Sequence, residues 1–336
     1  MKIKSNLCFT ALAGMLTLLT NSANATSVYD NNISAMNINA LSDKFMSYTD
    51  YGETMFDMFS NERVYGTMRR VDEYGDDGST VPTFKFSGTK DLKRDSFIKD
   101  VWLNADYLNA NDTHYQDDVS SHSKISLTTI GATIKSTELR YGAISFGGFA
   151  SYIHSKLSGT QSDGAAMGMF SHYIYKNFGA HTLINIGSLN SHTNNPWFNI
   201  ATDAYANLKI DDTFYIKPSL YIGYTWVSSD DMYISGNKIT SRDYNFFNIA
   251  PSLKFIKQIS DNWYGALSGK YVTHFGGNND IHANGTVIDG IKLRDHTDVG
   301  VDIEYNFNHL VLGGKLHRQL DGLNSWDFNL NAKYVF

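Results

Sequence analysis

"SWDFNLNAKYVF", residues 325–336, closes the chain, and its reading decides the fold. Trp326, Phe328, Leu330, Ala332, Tyr334 and Phe336 take the even positions, against Asp327, Asn329, Asn331 and Lys333 on the odd ones, with Val335 the exception. Successive side chains of a strand point to opposite faces, so this stretch has one apolar and one polar face. A soluble sandwich shows that alternation. A transmembrane barrel shows it too, with lipid outside and a wet lumen inside. The upstream sequence separates the two.

Residues 1–25 read as a signal peptide. Lys2 and Lys4 precede a mostly apolar run from Leu7 to Leu19, and Ala23-Asn24-Ala25 supplies small residues where a leader peptidase reads. The run is too short for a spanning helix. Cys8, the single cysteine, lies inside it, so the chain from Thr26 has no disulfide or thiolate chemistry. Without Lys2 and Lys4, 26 basic residues face 34 acidic ones, a net charge of −8 that argues against a nucleic-acid partner. No apolar run approaches the roughly 18 residues of a membrane helix. Aromatic residues are 14% of the chain, with only four prolines, a composition for strands and polar turns. The fold class is all-β.

From Phe97 onward about twelve strands are predicted, near 97–109, 123–136, 141–156, 164–177, 179–192, 197–210, 213–228, 242–258, 261–275, 292–306, 308–319 and 325–336. Many exceed the usual five or six residues of soluble strands, as a tilted bilayer-spanning strand must. The alternation is clear in 298–307, where Val299, Val301, Ile303, Tyr305 and Phe307 oppose Asp298, Asp302, Glu304 and Asn306. It is weaker in 123–136 and 179–192, where both faces carry apolar residues. Links after even strands are short (Asn177-Phe178, Asp211-Asp212, Ser260-Asp261). Those after odd strands are mostly long and polar, including 110–122, 156–163, 227–241 and 276–290. That asymmetry belongs to outer-membrane barrels, and a Greek-key sandwich does not sort its loops so. Trp102, Trp197, Phe198, Tyr215, Trp226, Trp263, Tyr264, Trp326 and Tyr334, near strand ends, are expected to form the aromatic girdles. The reading is a transmembrane antiparallel up-and-down β-barrel over 97–336, in the cell outer membrane with lipid as its surroundings.

"GGFASYI" (147–153), "FYIKPSLYIGYTW" (214–226), "VTHFGGNNDIHANG" (272–285) with the following "DVGVDIEYNF" (298–307), and the terminal "FNLNAKYVF" (328–336) together resemble the translocator domain of autotransporters. The resemblance covers roughly 97–336. It implies a twelve-stranded barrel preceded by a helix in the pore. It also implies that Phe336 and Tyr334 belong to the signal read by the barrel-assembly machinery on the C-terminal strand. One departure stands out. An autotransporter carries a large passenger before its barrel, and only about seventy residues lie between Thr26 and Phe97.

Residues 26–96 form an N-terminal segment with a helix and a linker. In 41–59, Leu41, Phe45, Tyr48, Met55, Phe56 and Phe59 recur near helical spacing opposite acidic residues and Lys44. A twelve-strand lumen can hold one helix, so Leu41, Phe45, Tyr48, Phe56 and Phe59 are candidate pore-helix residues; a loosely ordered periplasmic arm is the alternative. In 60–96, two strand-like runs flank "GDDG" and suggest a hairpin, which would make fourteen strands if it entered the wall.

No catalytic, cofactor or metal site is expected. The histidines show no metal-ligand spacing, "DDMYISGN" (230–237) lacks the terminal bidentate acid of a calcium loop, and the glycines sit in strands rather than in a phosphate cradle. The chain reads as a non-enzyme. Lys217, Lys254, Lys270 and Lys333 are expected to face the lumen with Asp302, Glu304 and Asp327, joined by Lys209, Asp106 and Asp203; these mixed signs imply no strong ion selectivity. The leading function is a translocator-type barrel with little or no passenger. A narrow diffusion porin is one alternative. A surface adhesin that binds an external ligand through loops 110–122, 227–241 and 276–290 is another.

Overall fold

The computed structural model describes Thr54, Met55, Met58, residues 67–74 and 80–87, and 97–336 apart from short stretches in the connections. Twelve strands form the wall: β1 Ile98–Tyr115, β2 Val119–Ile134, β3 Ala143–Leu157, β4 Thr160–Tyr175, β5 Phe178–Asn190, β6 Asn194–Ala206, β7 Phe214–Val227, β8 Tyr244–Gln258, β9 Trp263–Gly276, β10 His296–Phe307, β11 Leu310–Leu320 and β12 Ser325–Val335. Each pairs antiparallel with the next. β12 pairs with β1 from Ser325↔Ala110 to Val335↔Asp100, which closes the sheet. The ladder continues to the last residue, since the Phe336 N–H donates to the Lys99 carbonyl at 3.0 Å. Closure satisfies every edge, the condition for a sheet to cross a bilayer.

The short turns have local causes. Lys176 (φ 53°) and Asn308 (φ 56°) occupy the first position of two-residue connections, where a left-handed residue matches the twist of the flanking strands. Between β6 and β7, the Asp211 carboxylate accepts the Thr213 N–H at 2.7 Å and the Thr213 hydroxyl at 2.8 Å, an Asx-type turn.

The two faces of the wall differ in what they meet. Outward positions carry Leu103, Ile130, Phe146, Met169, Ile186, Ile222, Phe247, Leu267, Val301 and Leu330, with Met169 71% and Leu330 68% exposed. A monomer in water does not expose an apolar belt around its whole circumference, so this face belongs against lipid. Inward positions form a wall-lining cluster that includes Leu108, Ile125, Leu127, Phe149, Ile153, Phe170, Leu183, Leu189, Trp197, Tyr221 and Phe246. Over this arc the inward face mixes those side chains with buried polar ones, Thr129, Ser151, Asn185, Asn199 and Thr225 among them. β2 and β5 carry apolar residues on both faces because one face meets lipid and the other a packed interior.

Four predicted girdle members are likewise corrected. Trp102, Trp197, Tyr215 and Tyr264 lie inside, 2–5% exposed, whereas Trp263, Trp326 and Tyr334 are exposed on the outer face. Tyr215 and Tyr264 have the inward parity and pack on Met55 and Met58; for the two tryptophans the physical reason is register. Trp102 sits directly opposite Gly131, Trp197 opposite Gly187, Phe149 opposite Gly168, Phe170 opposite Gly147, and Tyr205 opposite Gly179. In each pair the ring fills the space a glycine Cβ would take. Large rings therefore lie flat along the inner wall.

Two further expectations change. The fourteen-strand alternative fails, because Thr67–Tyr74 and Thr80–Ser87 pair with each other in a separate two-stranded sheet; β1 is already bonded on both edges and offers no place. The 110–122 stretch is less a loop than a ladder, since β1 and β2 stay paired to Tyr115↔Val119 past an irregularity after Asp112. Finally, the long connections 227–244 and 276–296 are joined. Asn237–Ser241 pairs with Ile281–Ala283, and with Met232–Ile234 and Thr286–Ile288 they make a four-stranded sheet beyond the barrel.

Candidate functional site: the barrel lumen

The lumen is built by strand parity. Inward residues of β8 to β12 and of β1 bring the charged groups together, because each strand places one or two of them at neighbouring positions of the ladder. Lys254 Nζ lies 2.5 Å from Asp302 Oδ2, and Asp302 Oδ1 lies 2.9 Å from His317 Nε2. His317 Nδ1 faces Asp298 at 3.4 Å, and Asp298 pairs with Lys270 at 3.3 Å. The result is a chain of alternating sign, Lys254–Asp302–His317–Asp298–Lys270, laid across β8, β10, β11 and β9. His317 finds room because it sits opposite Gly300. Asn329 Nδ2 donates to Asp106 Oδ1 at 2.8 Å in the same interior.

At the end with the short turns, Lys333 and Asp100 form an ion pair at 3.5 Å with side chains 2% and 0% exposed. They belong to the strands that close the sheet. On the facing arc, His172 and His181 stack at 3.7 Å between ring centres, and His172 Nε2 lies 2.5 Å from the Tyr205 hydroxyl. The Lys217 ammonium stands 3.9 Å above the Tyr205 ring, a cation–π contact.

One short piece of the N-terminal segment lies against this wall. Met55 and Met58 are helical, and the Met58 N–H donates to the Thr54 carbonyl at 3.4 Å. The Met55 N–H, unsatisfied within a helix at that position, donates to Glu304 Oε2 at 2.9 Å. A carboxylate there also complements the positive end of a helical turn. Met55 and Met58 pack on Tyr215, Ile256, Tyr264 and Ala266. Thr54, Met55 and Met58 line the same cavity as Trp102, Asn104, Lys217, Lys254, Asp302, Lys315 and Lys333. The other candidate pore residues, Leu41, Phe45, Tyr48, Phe56 and Phe59, lie outside the described residues.

Lys217, Lys254, Lys270, Asp302, Glu304, Asp327 and Lys333 occupy inward positions, and Asp327 stands opposite His317. Lys209 is a correction: it sits on the short strand Leu208–Asp211 and pairs with Asp212 at 3.2 Å in the turn, outside the wall proper. Tyr334 is on the outer face with its ring 5.1 Å from that of Phe336. Sequence reading missed the His172–His181–Tyr205 stack and the His317 bridge. Both stand opposite or beside glycines, which were the available signal.

Comparison with solved structures now bears on the architecture. The β domain of the Bordetella autotransporter BrkA superposes with a TM-score of 0.58 at 11% identity, covering 72% of this chain and 100% of that one. The translocator domain of the autotransporter NalP from Neisseria meningitidis gives 0.58 at 11%, covering 73% and 90%. The transport unit of the autotransporter AIDA-I from Escherichia coli gives 0.55 at 13%, covering 73% and 93%. No protein-family model and no curated protein sequence matches the chain. At such identities the likeness speaks for the fold: a closed twelve-strand outer-membrane β-barrel built as autotransporter translocator domains are.

Proposed function

We propose that the chain is an integral outer-membrane barrel of autotransporter-translocator type with little or no passenger, whose N-terminal segment lies in the lumen. The observation that carries the reading is the seating of Met55 and Met58 on Tyr215, Ile256, Tyr264 and Ala266, with the Met55 N–H donated to Glu304. The shared barrel architecture supports it. The chain acts by positioning and passage, not by bond chemistry, and needs no cofactor. Residues 1–25 direct export and are removed, and Phe336 with Tyr334 addresses the barrel to the assembly machinery. Single-channel conductance of the refolded chain from Thr26, with and without residues 26–60, tests the reading. Conductance should rise on deletion. Equal conductance in both forms would instead leave the open porin.

A second reading, surface recognition, draws on the sheet that joins connections 227–244 and 276–296. Replacing 227–241 and 276–290 together should then abolish cell-surface binding while the barrel still folds; binding that survives the replacement sinks it.

A further inference from the structure

We propose that the outer face of β11, β12, β1, β2 and β3, at the rim of the long connections, binds the phosphate-bearing headgroup of an anionic lipid of the external leaflet through Lys124, Lys156 and Arg318. The register places these cations in one row. Arg318 stands opposite Trp326, Trp326 opposite Asn109, Asn109 opposite Lys124, and Lys124 opposite Lys156. All five positions have the outward parity, and both lysines are exposed.

Two features show that the row is built for an anion. First, Lys124 and Lys156 are direct cross-strand neighbours of like charge, an arrangement that weakens a sheet. Among the described residues no carboxylate pairs with either. The nearest acidic side chain on that face in the register, Asp163, is already held by His154 at 2.8 Å and by the Tyr152 hydroxyl at 2.7 Å. Second, Arg318 is oriented, with its guanidinium 4.7 Å over the Trp326 ring and one N–H donated to Asn324 Oδ1 at 2.5 Å. Its remaining N–H donors are free to form the fork that suits phosphate oxygens.

Unpaired lysines on a lipid-facing surface are tolerated only near the interface. The row lies within a few residues of the ends of β3, β11 and β12, on the side that faces outward in an outer-membrane barrel. Elsewhere on that rim the outward positions carry residues such as Phe198, Trp226 and Phe275. A phosphate between the two ammonium groups removes their repulsion and supplies the missing counter-charge. The occupant is therefore the phosphate of a lipid whose acyl chains lie along the apolar belt directly beneath. The site does not depend on what passes through the lumen.

The test uses the full chain in neutral detergent. Native mass spectrometry reads retention of a diphosphorylated outer-leaflet glycolipid and of the same lipid after dephosphorylation. Lys124→Gln/Lys156→Gln should retain the phosphorylated lipid at least tenfold less than wild type. Lys209→Gln/Lys257→Gln, at the opposite rim, should match wild type. Wild type should lose a similar factor on the dephosphorylated lipid. Lys124→Gln alone should melt higher than wild type without lipid and gain less from adding it. Equal retention by the double variant overturns the proposal and leaves the lysines simply reaching into water. Displacement of the lipid by inorganic phosphate as readily as by more lipid also overturns it, in favour of a soluble anion.

Discussion

Replacing Lys333 by methionine should expose how dry the lumen is where the barrel closes. The Lys333 and Asp100 side chains are 2% and 0% exposed, with Nζ and Oδ2 3.5 Å apart on the strands that join the two ends of the sheet. At an effective dielectric constant of about 20, a separation of 3.5 Å corresponds to an attraction of about 5 kcal/mol. Removing the cation strands a buried carboxylate, and breaking such pairs costs about 3–5 kcal/mol. Lys333→Met should therefore destabilise the barrel by about 3–5 kcal/mol. Removing both charges, as in Asp100→Asn/Lys333→Met, should return it to within about 1 kcal/mol of wild type, since well-filled neutral replacements of buried pairs are often no worse than the pair. Equilibrium urea unfolding in lipid vesicles, followed by tryptophan emission, measures this. Trp102 stands opposite Lys333 and reports the seam directly. A single variant costing less than about 1 kcal/mol, the range of solvated ion pairs, would refute the reasoning and mean that water fills the seam.

Gly131→Ala should cost about 1–3 kcal/mol, the range for overpacking, because its Cβ would overlap the Trp102 ring, whereas Gly269→Ala, with nothing within 4 Å, should stay within about 0.5 kcal/mol; equal costs would contradict the ring-over-glycine packing. Glu304→Leu removes the acceptor of the Met55 N–H and should raise mean conductance part of the way toward that of the 26–60 deletion, and an unchanged record counts against a seated N-terminal turn. The Asp211 carboxyl is held below its usual value by the Thr213 backbone N–H and hydroxyl, with the Lys257 ammonium adding to the effect. A lowered folded-state pKa stabilises the turn above the ordinary aspartate value of about 3.9 and is lost as pH falls through the lowered value. The Thr213 amide resonance should titrate with a midpoint below about 3.9, and a midpoint at or above that value refutes the turn geometry.

Much of the wall was legible in the sequence because lipid imposes a strict rule on one face. Period-two apolarity on the outer positions, such as Val299, Val301 and Ile303, together with short links read at Asn177-Phe178 and Asn306 to His309, places most strands to within a few residues. The loop asymmetry then gives the closed, even-numbered topology. The interior was harder to read. Outside, any large apolar side chain is acceptable; inside, the requirement is that side chains from twelve strands share one volume, which depends on register. Trp102 and Trp263 are both tryptophans near strand ends, yet one is 4% and the other 43% exposed. Strand parity separates them, since Trp102 shares its face with Asn104 and Asp106 and Trp263 shares its face with Leu267 and Tyr271; the room for an inward indole comes from across the ladder, at Gly131.

That distinction bears on what the lumen can pass. A diffusion pore needs a continuous wetted channel, whose walls are polar and whose water satisfies the inward groups. Here the inner face from β2 to β8 is closed by Ile125, Leu127, Ile153, Leu183, Leu189 and Phe246, none more than 1% exposed. Leu293, from the long connection before β10, packs onto that cluster. Between these residues stand buried polar side chains, Thr129, Asn185, Asn199, Thr225 and Asn248 among them, which bond to one another, as Asn185 Nδ2 donates to Asn199 Oδ1 at 3.1 Å. In the charged arc opposite, Lys254 pairs with Asp302 and Lys270 with Asp298, and the Glu304 carboxylate accepts a backbone N–H of the N-terminal segment. On the reading proposed above, a lumen tightly packed on one side and paired within the wall on the other suits a polypeptide occupant, which brings both apolar side chains and backbone donors, better than it suits a stream of hydrated ions.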